Sequence, residues 1–98
     1  KKMKDINWFK NEVAPYLTGY EIQYRFYSNG DFGPLTQIRF ESLKKGGTIE
    51  FWGLNWLGIF LYDHDKDDLV LNVLLEPHET EKKELYLGML QELLLDNP

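Results

Sequence analysis

Ninety-eight residues, 43% hydrophobic and 15% aromatic, are enough for one domain (residues 1–98) with a real core, which excludes wholesale disorder. The absence of cysteine removes disulfides, thiolate metal sites and cysteine nucleophiles together, and suits a reducing compartment. A net charge of −5, with a pI near 4.9, repels phosphate backbones and sets nucleic acid aside as a partner, while favouring a basic protein.

Asp5 is placed to N-cap a short helix whose Ile6, Phe9, Val13 and Leu17 fall on one face, with Trp8 at the margin. Lys1, Lys2 and Lys4 precede it without an apolar h-region, so a cytoplasmic protein is expected. Pro15 has no N–H to donate and pushes Ala14 out of the α region, which ends the regular helix near Val13. From Tyr20 to Tyr27 the side chains alternate, Tyr20, Ile22, Tyr24 and Phe26 against Glu21, Gln23, Arg25 and Tyr27. The turn-forming run SNGDFGP follows. A second strand over 35–43 then sets Thr36, Ile38 and Phe40 opposite Gln37, Arg39 and Glu41.

Lys44-Lys45-Gly46-Gly47 has the composition of a hairpin turn, its glycines supplying positive φ. Strand three sends Ile49 and Phe51 inward, with Glu50 and Trp52 outward. Strand four, 57–62, directs Leu57, Ile59 and Leu61 one way and Phe60 and Tyr62 the other. The longest apolar run is interrupted by Gly58 and closes at Asp63, well short of a membrane span. Strand five, 69–75, is apolar at nearly every position except Asn72, the pattern of a strand covered on both faces, whereas a simple meander would leave it at an edge.

Pro77 ends the sheet. Thr80 is suited to N-cap the last helix, with Glu81 in its first turn, and Tyr86, Met89, Leu90, Leu93 and Leu94 repeat at helical spacing. Leu85, Leu87 and Leu95 widen this stripe, which points to broad contact with the sheet and the first helix, or alternatively to a dimer. The fold expected is α+β: an about five-stranded, mainly antiparallel sheet with an N-terminal and a C-terminal helix packed on one face.

In the loop Asp63-His64-Asp65-Lys66-Asp67-Asp68, carboxylates at alternate positions imitate the start of an EF-hand. The match fails at Asp68, where glycine is required, and at Leu74, where a bidentate glutamate belongs. No metal or other cofactor is expected; the loop is a solvated hairpin tip or a negative knob for a basic partner. His64 and His78 have no accompanying nucleophile, metal set or phosphate-cradling loop and are read as surface histidines, so no enzyme is expected. The outward sheet face carries Arg25, Tyr27, Gln37, Arg39, Glu41, Glu50, Trp52, Phe60 and Tyr62, a mixture typical of interfaces. Cross-strand stabilisation of an open sheet explains the same residues equally well. Asn55 and Trp56 either extend this patch or turn back into the core.

The run GTIEFWGLNWLGIFLYD followed by LLEPHE, in a small acidic α/β chain, resembles the small acidic immunity proteins of bacterial toxin systems, those of contact-dependent inhibition and related polymorphic toxins. The resemblance implies a non-catalytic protein that neutralises a cognate toxin, often a nuclease with a basic active site, by binding it. On that view Asp63, Asp65, Asp67, Asp68, Glu76 and Glu79 pair with basic residues of the toxin domain. Trp52, Trp56, Tyr27 and Tyr62 supply buried anchors, with Arg39 in the same patch. In a simple meander the two acidic clusters lie at opposite sheet ends, so one partner meets one cluster. The alternatives are a secretion or assembly chaperone, dimeric through the Leu85 to Leu95 helix, and a small ligand-binding domain or enzyme using the aromatic face. Broad contact of that helix with the sheet and the first helix favours a monomer, with the dimer as the alternative.

Overall fold

The computed structural model describes residues 3–96. Asp5 opens the first helical turn, its Oδ1 accepting the Trp8 N–H at 3.0 Å, and α1 spans Ile6–Trp8. The chain then widens into a π-helical turn, Phe9–Val13, and tightens into a 3₁₀ turn, Ala14–Tyr16. Pro15 accounts for the change of pitch, since it offers no N–H and its ring clashes with the carbonyl four residues earlier in an α-helix. Phe9, Val13 and Leu17 still reach the sheet and are buried.

Five strands follow: β1 (Glu21–Tyr27), β2 (Leu35–Glu41), β3 (Lys45–Trp52), β4 (Leu57–Asp63) and β5 (Asp68–Leu75). They form one antiparallel meander in sequence order. Short connections hold successive strands side by side, and this puts β5 at an edge despite its apolar sequence. One rung, Tyr24–Ile38–Ile49–Ile59–Val73, crosses the whole sheet on the core-facing side. Helix α2 (Thr80–Leu95) lies beneath it with Leu87, Leu90 and Leu94 buried, and Phe9 and Val13 complete the core. Among the described residues no helix is long and apolar enough to cross a membrane.

Three local expectations are corrected. Gly46 and Gly47 do not make the hairpin turn; they pair inside β3, with Glu41 and Phe40 on one side and Tyr62 and Leu61 on the other. The turn is Leu43–Lys44, closed by the Ser42 N–H on the Lys45 carbonyl at 2.7 Å, and β2 therefore stops at Glu41. Gly47 is required for space, because a Cβ there would strike the Phe60 carbonyl and come within 2.9 Å of the Phe40 ring.

The second correction is at the start of α2, where Glu79 is the N-cap and Thr80 the first helical residue. The Glu79 carboxylate accepts the Glu76 N–H at 2.8 Å.

The third is the rotation of that helix. Its buried line is Lys83, Leu87, Leu90 and Leu94, while Leu85, Met89 and Leu95 are left exposed. Lys83 sets the rotation: its ammonium donates to the carbonyls of Asn55 (2.5 Å) and Pro77 (3.1 Å), partners a buried charge requires. At the other end of α2, Lys45 Nζ donates to the carbonyls of Leu93 and Asp96, both at 2.5 Å, serving acceptors that a helix terminus leaves open. Lys4 joins the helix to the N-terminal segment through Glu84, whose carboxylate takes both its backbone N–H and its ammonium at 3.0 Å.

Candidate functional site

Strand alternation and the observed register assign the second sheet face rung by rung. Gln23, Arg39, Thr48, Phe60 and Asn72 form one rung, and Glu21, Glu41, Gly46, Tyr62 and Leu69 form the next. Gln23, Arg39, Glu41, Phe60, Leu69 and Asn72 are exposed. On β3 the small residues Gly46 and Thr48 lie between long side chains of β2 and aromatic ones of β4. The face therefore sinks into a trough of about 470 Å³, walled by Arg39 and Glu41 on one side and Phe60 and Tyr62 on the other. The walls stand two strand spacings apart, roughly 10 Å.

The β4–β5 hairpin closes one end of this trough. His64 Nε2 lies 2.5 Å from Glu41 Oε2, and the His64 backbone N–H donates to the Lys44 carbonyl at 2.7 Å. The Tyr62 hydroxyl donates to Asp67, and this bond raises the tyrosine pKa above its ordinary value. Asp67 adopts a left-handed backbone (φ 51°), a conformation that aspartate tolerates, and Asp63 Oδ1 accepts the Lys66 N–H at 3.0 Å. Glu21, Glu41, Asp63 and Asp68 are brought to the same sheet end by their pairing, beside Asp65 and Asp67 in the hairpin tip. The rung Lys45–Asp63–Asp68 belongs by alternation to the helix-covered side, where Lys45 directs its ammonium to the end of α2; the open face at this end carries Glu21 and Glu41, beside Asp65, Lys66 and Asp67 of the hairpin tip.

The His64–Glu41 pair is exposed on both sides, with side chains 39% and 62% accessible. Ser42, the nearest hydroxyl in sequence, is occupied by the hairpin turn, its Oγ accepting the Lys44 and Lys45 N–H groups. Among the described residues no group of three or more His, Cys, Asp or Glu can hold a metal ion.

The other end of the face is different. Tyr27, Leu35 and Trp52 make its last rung, and residues 28–34 fold back over it. Phe32 stacks on Trp56 at 4.1 Å and meets Trp52 edge-on at 5.3 Å. Gly30 packs against the same indole, where a Cβ would come within 2.5 Å of the ring. Backbone bonds from Gly53 to Pro34 (2.6 Å) and from Leu54 to Phe32 (3.0 Å) stitch this loop to the turn before β4. Leu35 is buried beneath, and the Trp52 indole N–H is buried with no acceptor among the described residues. Trp52 and Trp56 are thus half-buried under the chain's own loop, whereas Tyr27 stays exposed.

Glu76 and Glu79 also lie at this end, separated from the hairpin tip by the length of β5, roughly 23 Å. Glu79 is engaged by the Glu76 N–H and by Lys82 at 3.3 Å, and these contacts lower its pKa, the backbone bond most of all. The structure therefore brings Arg39, Tyr62, Asp63, Asp65, Asp67 and Asp68 to one end of the sheet, with Asp63 and Asp68 on the helix-covered parity and Arg39 and Tyr62 on the open one, and leaves Tyr27, Trp52, Trp56, Glu76 and Glu79 at the other end. Reasoning from sequence overlooked the trough floor and the His64–Glu41 contact. The available signal for the floor was Gly46 and Thr48, two small residues on the outward parity of β3. No protein-family model, no curated protein and no solved structure matches the chain.

Proposed function

We propose that this chain is a non-catalytic protein-binding domain that receives a basic partner on the trough end of its open sheet face, as an immunity protein receives the toxin domain it neutralises. The observation that carries this is the coincidence, at one end of an uncovered face, of exposed Phe60 and Arg39 with Tyr62 and the carboxylates of Glu21, Glu41 and the hairpin tip. Aromatics and arginine in a shallow depression are the usual anchors of an interface, and a surrounding ring of like charge accelerates encounter with an opposite one. A net charge of −5 adds to that steering.

The test is affinity capture from the source cell's lysate, using the wild-type chain and a Phe60→Ala/Arg39→Glu variant that retains the wild-type melting temperature. The expected result is a basic protein held by the wild type and lost by the variant, whose purified form rebinds at a rate that falls with salt. Equal capture by both chains removes the open face from the proposal. A second reading, a chaperone that dimerises through α2, draws support from the outer leucines, Leu85 at 61% and Leu95 at 46% exposure. Mass measurement in solution separates the two: a monomer supports the binder, a dimer the chaperone.

A further inference from the structure

On the helix-covered side of the sheet the cover is incomplete. A pocket of about 570 Å³ opens between the N-terminal segment and the start of α2, at the Trp52 end of the strands. Its walls include Ile6, Phe26, Phe51, Leu57 and Leu87. Phe26 belongs to the core-facing side by alternation, yet is 68% exposed, because neither helical segment reaches over the end of β1. The size and the apolar lining are those of a small-molecule site, which needs in addition only a few placed polar groups.

Lys83 is such a group. It lines the pocket and is only 6% exposed, and Asn55 and Pro77, whose carbonyls hold its ammonium, line the pocket with it. An ammonium carries three donors, and the carbonyls take two. Among the described residues Lys83 forms no ion pair; Glu79, whose charge acts on it from beyond ion-pair distance, gives its carboxylate to the Glu76 N–H and Lys82. Burial accordingly lowers the Lys83 pKa. A neutral donor such as glutamine would join the same two carbonyls without the desolvation that a buried charge incurs. Lys4 and Asp5 also stand on the pocket wall, the Lys4 ammonium held by Glu84 at 3.0 Å and the Asp5 carboxylate turned to the Trp8 N–H, so the N-terminal side offers a second carboxylate no uncommitted cation.

We propose that this pocket binds a small amphipathic monocarboxylate, its apolar body against Phe26, Phe51 and Leu57 and its carboxylate accepting the third N–H of Lys83. The site lies on the opposite side of the sheet from the trough and stands independently of the protein-binding function.

The test is an NMR titration of the full chain with octanoate, octanol and octylamine, followed through backbone amide shifts. Octanoate is expected to saturate with shifts concentrated at residues 51–57 and 80–87, to bind about tenfold more tightly than octanol, as a charge-assisted bond requires, and to exceed octylamine further. Lys83→Met should abolish the preference for octanoate over octanol while leaving octanol binding in place. Should Lys83→Met fail to fold, Thr36→Trp, which fills the pocket from β2 and leaves Lys83 its carbonyls, should abolish octanoate binding. Equal affinity for the acid and the alcohol, shifts centred outside the pocket, absence of saturable binding, or octanoate binding unchanged by Thr36→Trp each overturn the proposal.

Discussion

Replacing Trp52 with alanine should unfold the roof over the end of the sheet before it affects any partner. Full truncation of a buried tryptophan costs about 3–5 kcal/mol. Trp52 is half-buried, so about 2 kcal/mol of that applies here. The edge contact with Phe32 at 5.3 Å adds about 1 kcal/mol, and removal of an indole N–H that has no acceptor returns about as much. The net loss is about 2 kcal/mol, which in a domain of this size lowers the melting temperature by about 8–16 °C. Trp52→Phe keeps a ring against Phe32 and discards the unsatisfied donor, so it should fall within about 1 kcal/mol of wild type. Urea and thermal melts followed by far-UV circular dichroism avoid the change in tryptophan signal. A cycle with Phe32→Ala should return a coupling of about 0.5–1.5 kcal/mol. The reasoning is refuted if Trp52→Ala melts within about 3 °C of wild type, or if phenylalanine costs as much as alanine.

Gly47→Val drives a side chain into the β4 backbone and the Phe40 ring, and should cost more than about 3 kcal/mol, read as loss of soluble folded protein. Lys45→Met removes the two bonds that close the end of α2 and should destabilise by about 1–2 kcal/mol in urea, with amide exchange accelerated in the last helical turn. The Glu79 carboxylate has a lowered pKa in the folded chain, so its contribution is fully present above its ordinary value of 4.5 and is lost as the pH falls through the folded value. Glu79→Gln should therefore flatten the acid limb of stability against pH. Reversing charge at Asp65 should slow association with the captured partner and reduce its salt dependence, measured by stopped flow, without changing the melting temperature; reversal at Asp67 should add to the slowing but also lower the melting temperature, since it removes the acceptor of the Tyr62 hydroxyl.

The amino-acid sequence by itself determined the elements whose signals are local. Asp5 caps because its carboxylate meets the Trp8 N–H within one turn, Pro15 breaks the helix through its own ring, and alternation from Ile22 to Leu61 sorts side chains because successive Cβ atoms point to opposite faces. The faces of the first four strands could be written down in advance on that basis, whereas β5, apolar at nearly every position and shifted in register between Leu69 and Leu71, could not. The tertiary structure alone decided the matters that depend on chain segments far apart. Leucines at 85, 87, 90, 93, 94 and 95 cover so much of α2 that many rotations bury apolar surface, and the tie is broken by Lys83 reaching carbonyls in two loops. Gly46 and Gly47 carry the composition of a turn, and only the closeness of β4 and of the Phe40 ring makes them strand residues. Trp52 points outward as its parity requires, but whether outward means exposed was settled by a loop from the other side of β2 folding over it. Glu41 and His64 meet across the sheet because the Leu43–Lys44 turn closes in one register, and register is a property of paired strands that no single strand contains.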